Sequence, residues 1–208
     1  MLLFDLDGTL IDSNGVWEEI DLNFLKRRGL APTEEYNQTV GHSIFPIAAQ
    51  FTKDYYSLAL SPQEIMDEWM TGAREAYANE VPLKQGSREF LEVCRRKGER
   101  MAVVTACVPE LCRAALSRHG LEEFFEDVIF AQELGMEKRN PQVFLHTSQR
   151  LGVAPETCTL YEDAPANCVA AQSAGMRAVG VYDGFYARYE PEMRARCDGY
   201  IRSFLELL

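Results

Sequence analysis

The feature that most restricts the fold is a change of rhythm at Pro82. Beyond it, short apolar runs alternate with helical stretches. Ser87–Lys97 reads as a helix stopped by Gly98, and Met101–Thr105 as a strand. Pro109–His119 is a helix closed by Gly120, followed by a short strand at Val128–Phe130. Pro141–Leu151 is again helical, Cys158–Tyr161 a strand, and Ala164–Ala174 a helix ended by Gly175. Ala178–Val181 and Tyr200–Ile201 read as strands before a terminal helix over Ser203–Leu208. Strands separated by helices of about 10–12 residues imply βαβ units and a parallel sheet, hence an α/β fold. A further strand stands at the other end of the chain. Met1–Phe4 is apolar and runs straight into Asp5 and Asp7, followed by Gly8 and Thr9. The carboxyl edge of an open α/β sheet, where these residues would stand, is where such folds bind ligands.

Between the first strand and Pro82 no strand pattern occurs. Val16, Trp17, Ile20, Phe24 and Leu25 have helical spacing, and Gly29 closes that helix. A second helix is expected from Thr33 to Val40. The stretch Ser43–Leu58 puts Ile44, Ile47, Ala48 and Phe51 on one face. Ser61-Pro62-Gln63-Glu64 is a capping box with Pro at the first helical position, and it opens a helix through Ile65, Trp69, Ala73 and Tyr77. The expected organisation is a core formed by residues 1–13 and 83–208 with an all-helical insert at 14–82. There is no internal repeat and no low-complexity segment.

Composition narrows the function classes. The 208 residues are 47% hydrophobic, enough to bury a substantial core. No run of about 18 apolar residues is present, so no membrane span is expected. No basic segment followed by a short apolar one precedes the first strand, so no secretory signal is expected and the default location is the cytoplasm. The net charge of −11 disfavours nucleic acid and anionic lipid as partners. A phosphate-bearing substrate would need a local positive site. The six cysteines (94, 107, 112, 158, 168 and 197) form no CxxC pair and read as reduced, buried thiols. Monomer and dimer are both compatible with the sequence.

The chemistry lies at the predicted strand ends. Residues i and i+2 of a strand face the same side, so Asp5 and Asp7 are expected to converge. Converging carboxylates repel unless a proton or cation lies between them, and Mg²⁺, which takes oxygen ligands, is the natural neutraliser. Asp5-Leu6-Asp7-Gly8-Thr9 resembles motif I (DxDGT) of the haloacid dehalogenase-like hydrolase superfamily, most of whose members are Mg²⁺-dependent phosphatases and phosphomutases. Thr105, at the end of its strand and followed by Ala106, resembles motif II. Lys138 stands in Gly135–Phe144, which is similar to the family's lysine segment. There Arg139 replaces a usual Pro, Gln142 replaces an acidic residue, and Arg139 is a rival cation. Glu162-Asp163, ahead of an Ala-rich helix ending in Ala-Gly-Met, resembles motif IV, with Ala164 where Ser is usual and Asn167 where Gly is usual. The resemblance covers essentially the whole chain and implies a Rossmann-like three-layer α/β/α core carrying a helical cap.

It also implies a mechanism. Asp5 would attack phosphorus and form an aspartyl-phosphate, with Asp7 acting as general acid and then as general base. Mg²⁺ would be held by Asp5, the Asp7 backbone carbonyl and Asp163, with Glu162 contributing directly or through water. Thr105, Lys138 and the N–H groups of Leu6 and Ala106 would stabilise the phosphoryl charge, and the cap would close over the site. The expected substrate is a small phosphorylated metabolite. A dehalogenase needs only the first aspartate, so Asp7 argues for phosphate chemistry. A β-phosphoglucomutase-like mutase is the main alternative. Such enzymes carry a histidine where this chain has Trp17, and a phosphate-binding arginine in the stretch matching Gly41-His-Ser-Ile44, so hydrolysis is favoured. His42 is a candidate substrate contact, with Trp17, Phe45 and Tyr55 as further candidates on the cap. A binding module without activity would be expected to lack Asp5 or Asp163, and both are present.

Overall fold

A computed structural model describes residues 1–41 and 45–208. It forms two compact units, one of Met1–Asn14 with Val81–Leu208 and the other of Gly15–Glu80. The second unit holds helices α1 (Val16–Lys26), α2 (Glu34–Gly41), α3 (Phe45–Tyr55) and α4 (Pro62–Asn79). The first holds α5 (Ser87–Arg96), α6 (Pro109–Arg118), α7 (Pro141–Leu151), α8 (Pro165–Ser173) and α9 (Glu190–Arg196), with strands β1 (Leu2–Phe4), β2 (Met101–Thr105), β3 (Asp127–Phe130), β4 (Thr159–Glu162), β5 (Arg177–Val181) and β6 (Gly199–Ile201).

The six strands form one parallel sheet in the order β3-β2-β1-β4-β5-β6. The chain builds outward from β1 to β3, then crosses to the other side of β1 and builds outward again. That reversal places the ends of β1, β2 and β4 side by side. Strand β1 is paired along both edges, Leu3 aligning with Ala102 on one side and Leu160 on the other. Its two faces show why a buried parallel strand is apolar throughout. Leu3 packs with Val143 and Phe144 of α7 and with Ala170 and Ala171 of α8. Phe4 points the opposite way, stacks on Tyr161 at a centroid distance of 5.0 Å, and meets Phe90 of α5 and Phe204. Helices on both faces make the three-layer arrangement.

In the second unit, α1 and α4 approach closely because Gly72 leaves room for the Ile20 side chain. Phe24 and Phe45 both meet the Trp69 ring, and Tyr36 stacks on Phe51. The Tyr36 hydroxyl donates to Asp21 (2.9 Å) and lies 2.8 Å from the Thr52 hydroxyl. Helix α4 opens with the expected box: Ser61 Oγ accepts from Glu64 N–H at 3.2 Å, and the Glu64 carboxylate accepts from Ser61 N–H at 2.7 Å.

Three local expectations differ from the structure. Ile47 does not share the buried face of α3, which is Ala48, Ala49 and Thr52; Ile47 is 57% exposed. The segment after Ser203 is a single 3-10 turn, Phe204–Leu207, not an α-helix. Helix α9 was not expected, because in Glu-Pro-Glu-Met-Arg-Ala-Arg only Met193 is buried and no apolar stripe marks it. No helix among the described residues is long and apolar enough to cross a membrane. All six cysteines are free thiols; Cys107 and Cys197 are half-buried and the other four buried.

Candidate active site

Past the end of β1 the chain stays tied to β4, the Asp5 N–H donating to the Tyr161 carbonyl at 3.0 Å. It then folds back on itself. Leu10 and Ile11 donate to the Leu6 carbonyl at 2.9 and 3.0 Å, and Gly8 donates to the Ile11 carbonyl at 2.9 Å. Strand β1 therefore ends before Asp5, and the two-residue alternation of a strand does not govern Asp5 and Asp7. Asp5 turns into the protein and is 5% exposed. Asp7 is half-buried, and its carboxylate accepts from Ser13 Oγ at 2.7 Å.

What gathers around Asp5 is Lys138, Glu162 and Asp163. Lys138 lies in the loop before α7, whose first turn is capped by Asn140. Its ammonium pairs with Asp5 and, at 2.7 Å, with Glu162. Glu162 is the last residue of β4, and its other oxygen accepts from Ala164 N–H (3.0 Å) and Asn167 Nδ2 (3.2 Å). The Asn that replaces the usual glycine thus has a partner in the site. Asp163 accepts from Asn14 Nδ2 at 2.7 Å, and its N–H donates to Thr9 Oγ1 at 3.1 Å. Gly8 makes this convergence possible. It adopts φ +77°, and a Cβ there would lie 2.1 Å from Asp163 Oδ2 and 2.2 Å from Asn14 Nδ2. Arg139, the rival cation, is exposed and paired with Glu137.

The electrostatics of this cluster are unbalanced. Three carboxylates and one ammonium are all nearly inaccessible to water. Burial, reinforced by Glu162 and Asp7 and opposed by Lys138, pushes the Asp5 carboxyl up to about 8. Burial followed by Glu162 and Asp5 also holds Asp163 well above the usual carboxylate range. Burial alone would depress Lys138, but Asp5 and Glu162 outweigh it and keep the ammonium above the ordinary lysine value. One oxygen each from Asp5, Glu162 and Asp163 lie within 4.8 Å of one another. Hard carboxylate donors in excess over local positive charge fit a divalent cation, which would displace the retained protons.

Thr105 closes β2 and is fully buried, with Oγ1 accepting from Cys107 N–H at 2.9 Å. A hydroxyl used as an acceptor keeps its own proton for donation. Ala106 follows on the exposed side, its carbonyl accepting from Gln132 Nε2 at 3.0 Å. Leu6 is buried in the turn after Asp5. His42 and Ile44 lie outside the described residues. Reading the sequence alone missed Thr9, Ser13, Asn14 and the contact of Asn167. The first three sit within or beside the Asp5–Thr9 motif, where Ser, Thr and Asn are ready donors to nearby carboxylates.

Residues 2–181 match the model of the haloacid dehalogenase-like hydrolase family. The chain belongs to that family. Hexitol phosphatase B of Escherichia coli is 28% identical over 181 residues, 86% of this chain and 82% of that protein. A fructose-1-phosphate phosphatase of the same organism is 30% identical over 183 residues, covering 86% and 95%. Among solved structures, CbbY from Rhodobacter sphaeroides in complex with phosphate superposes with a TM-score of 0.78 at 24% identity, over 99% of this chain and 95% of the other. A β-phosphoglucomutase from Clostridium difficile gives 0.72 at 20% identity, over 100% and 92%. These likenesses establish a haloacid dehalogenase-like, Rossmann-type fold.

Proposed function

We propose that this haloacid dehalogenase-like protein is a Mg²⁺-dependent phosphomonoesterase acting on a small phosphorylated metabolite, with a phosphorylated sugar or sugar alcohol as the first class to test. The observation that carries the reading is the buried Asp5–Lys138–Glu162–Asp163 cluster at the carboxyl edge of the sheet. The names of the relatives, hexitol and fructose-1-phosphate phosphatases, support the substrate class.

Asp5 supplies the nucleophilic oxygen. It forms a bond to phosphorus as the ester oxygen leaves, and Asp7 donates a proton to that oxygen. Water then attacks the aspartyl-phosphate, Asp7 takes its proton, and the bond between phosphorus and the Asp5 oxygen breaks to give phosphate. Asp5 is buried and Asp7 half-buried, a difference that suits a nucleophile and a proton shuttle to the leaving group. Lys138 stays protonated throughout and offsets charge on Asp5 and the transferring group. Thr105 Oγ1 and the N–H groups of Leu6 and Ala106 are the proposed donors to phosphoryl oxygens. Asp5, Asp163, the Asp7 carbonyl and Glu162, directly or through water, would hold Mg²⁺. When bound, the ion neutralises phosphoryl charge and orients the group for attack. The alternative, a phosphomutase on the same core, would regenerate a phosphorylated product and release no phosphate.

Phosphate release across a panel of phosphorylated metabolites with Mg²⁺ tests the reading. Wild type is expected to turn over part of the panel, and Asp5→Asn none of it. Equal release by the two proteins sinks the nucleophile assignment. Asp7→Asn should slow turnover by roughly 10²–10⁴-fold. Conversion to an isomer without free phosphate would favour the mutase.

A further inference from the structure

Asn14 is the last residue of the first unit before the chain leaves it. Its side chain nevertheless reaches back into the acidic cluster, with Nδ2 2.7 Å from Asp163 Oδ2. A carboxylate that is to receive a cation has to present a fixed oxygen, and a neighbouring N–H can fix it without adding charge. Two features bear on that contact. The Cα of Gly8 bears no side chain on the side where Asn14 Nδ2 lies. Asp183, 4% exposed in the loop after β5, also feels this amide: against the effect of burial, Lys84 and Asn14 hold its carboxyl below the usual carboxylate range. Asp183 is itself anchored: one oxygen pairs with Lys84 Nζ at 2.8 Å and the other accepts from Phe185 N–H at 2.8 Å. Lys84 lies where the chain has returned to this unit, its N–H bonded to the Leu10 carbonyl at 2.9 Å.

We infer that Asn14 is a positioning residue, which sets the orientation of the Asp163 carboxylate for the divalent cation. This rests on the metal role of Asp163 proposed above. The side-chain hydrogen bond of Asn14 goes to Asp163 and not to Asp5. Its removal should weaken the cation, and lost turnover should return when the cation is raised.

The experiment is a Mn²⁺ titration of the substrate-free protein, read by electron paramagnetic resonance of the free ion, with thermal unfolding in EDTA alongside. Asn14→Ala should weaken Mn²⁺ binding by about 10–100-fold, the range typical of lost outer-shell partners. Cooperative unfolding in EDTA establishes that the variant is folded before its affinity is read. Asn14→Ser, which retains a shorter donor, guards against a folding failure and should show a smaller loss in the same direction. Mn²⁺ affinity within about twofold of wild type in Asn14→Ala, or in Asn14→Ser where the alanine variant does not fold, overturns the inference. Asp163→Asn separates the two claims. If it binds Mn²⁺ as wild type does, the metal site itself is misassigned. If it loses Mn²⁺ while Asn14→Ala does not, only the role of Asn14 fails.

Discussion

A methyl group on Gly8 would stand where Asp163 Oδ2 and Asn14 Nδ2 already are, and the backbone at +77° is one that alanine adopts with strain. Gly8→Ala is therefore expected to push Asp163 away from Asp5 and to abolish Mg²⁺-dependent phosphate release. The cost in stability should be about 1–3 kcal/mol, read from chemical denaturation in EDTA. A variant with full activity would show that the two carboxylates need not approach so closely. At this scale the sequence displayed the acids and hid most of what orients them. Asp5, Asp7 and Glu162-Asp163 stand at the ends of apolar runs and can be picked out. The bond from Asn14 to Asp163 spans 149 positions and that from Lys84 to Asp183 spans 99. No local spacing encodes a pairing of that kind.

Elements were legible where one face is apolar and a turn residue ends the pattern. Strand β2, fully buried, and α7, with Pro at its start and Gly152 in the left-handed conformation at its end, meet both conditions. Helix α9 meets neither. In α3 the helical period was right, but Ile47 lies toward water because the buried stripe runs through Ala48, Ala49 and Thr52. The helical unit also contains a half-buried acid with consequences of its own. Burial, partly offset by the Tyr36 hydroxyl, raises the Asp21 carboxyl to about 6. Between the unfolded value near 4 and about 6, the folded unit keeps a proton that the unfolded chain releases. Its stability therefore falls as pH rises through that window and levels off above it. The effect is at most about 3 kcal/mol. Asp21→Asn, which keeps an acceptor for Tyr36, should flatten the slope. An unchanged pH profile of unfolding would exclude Asp21 as its source.

At the scale of the molecule, the net charge of −11 includes three acidic groups gathered in one buried site. The folded first unit thus gains more from a divalent cation than the unfolded chain, where the same acids are hydrated and far apart. Mg²⁺ at about a hundredfold over its dissociation constant should stabilise the protein by about 2.7 kcal/mol. The shift in unfolding midpoint should vanish in Asp163→Asn; an equal shift there would place the ion elsewhere.

The central position of β1 carries a consequence for biosynthesis. Asp5 is translated well before β4, yet its strand gains its last neighbour only when β4 has been made, and Asp163 follows directly after. On the mechanism proposed above, a nascent chain that already carries Asp5 cannot arm it until translation has passed the acidic pair. Products terminated before that pair are then expected to release no phosphate.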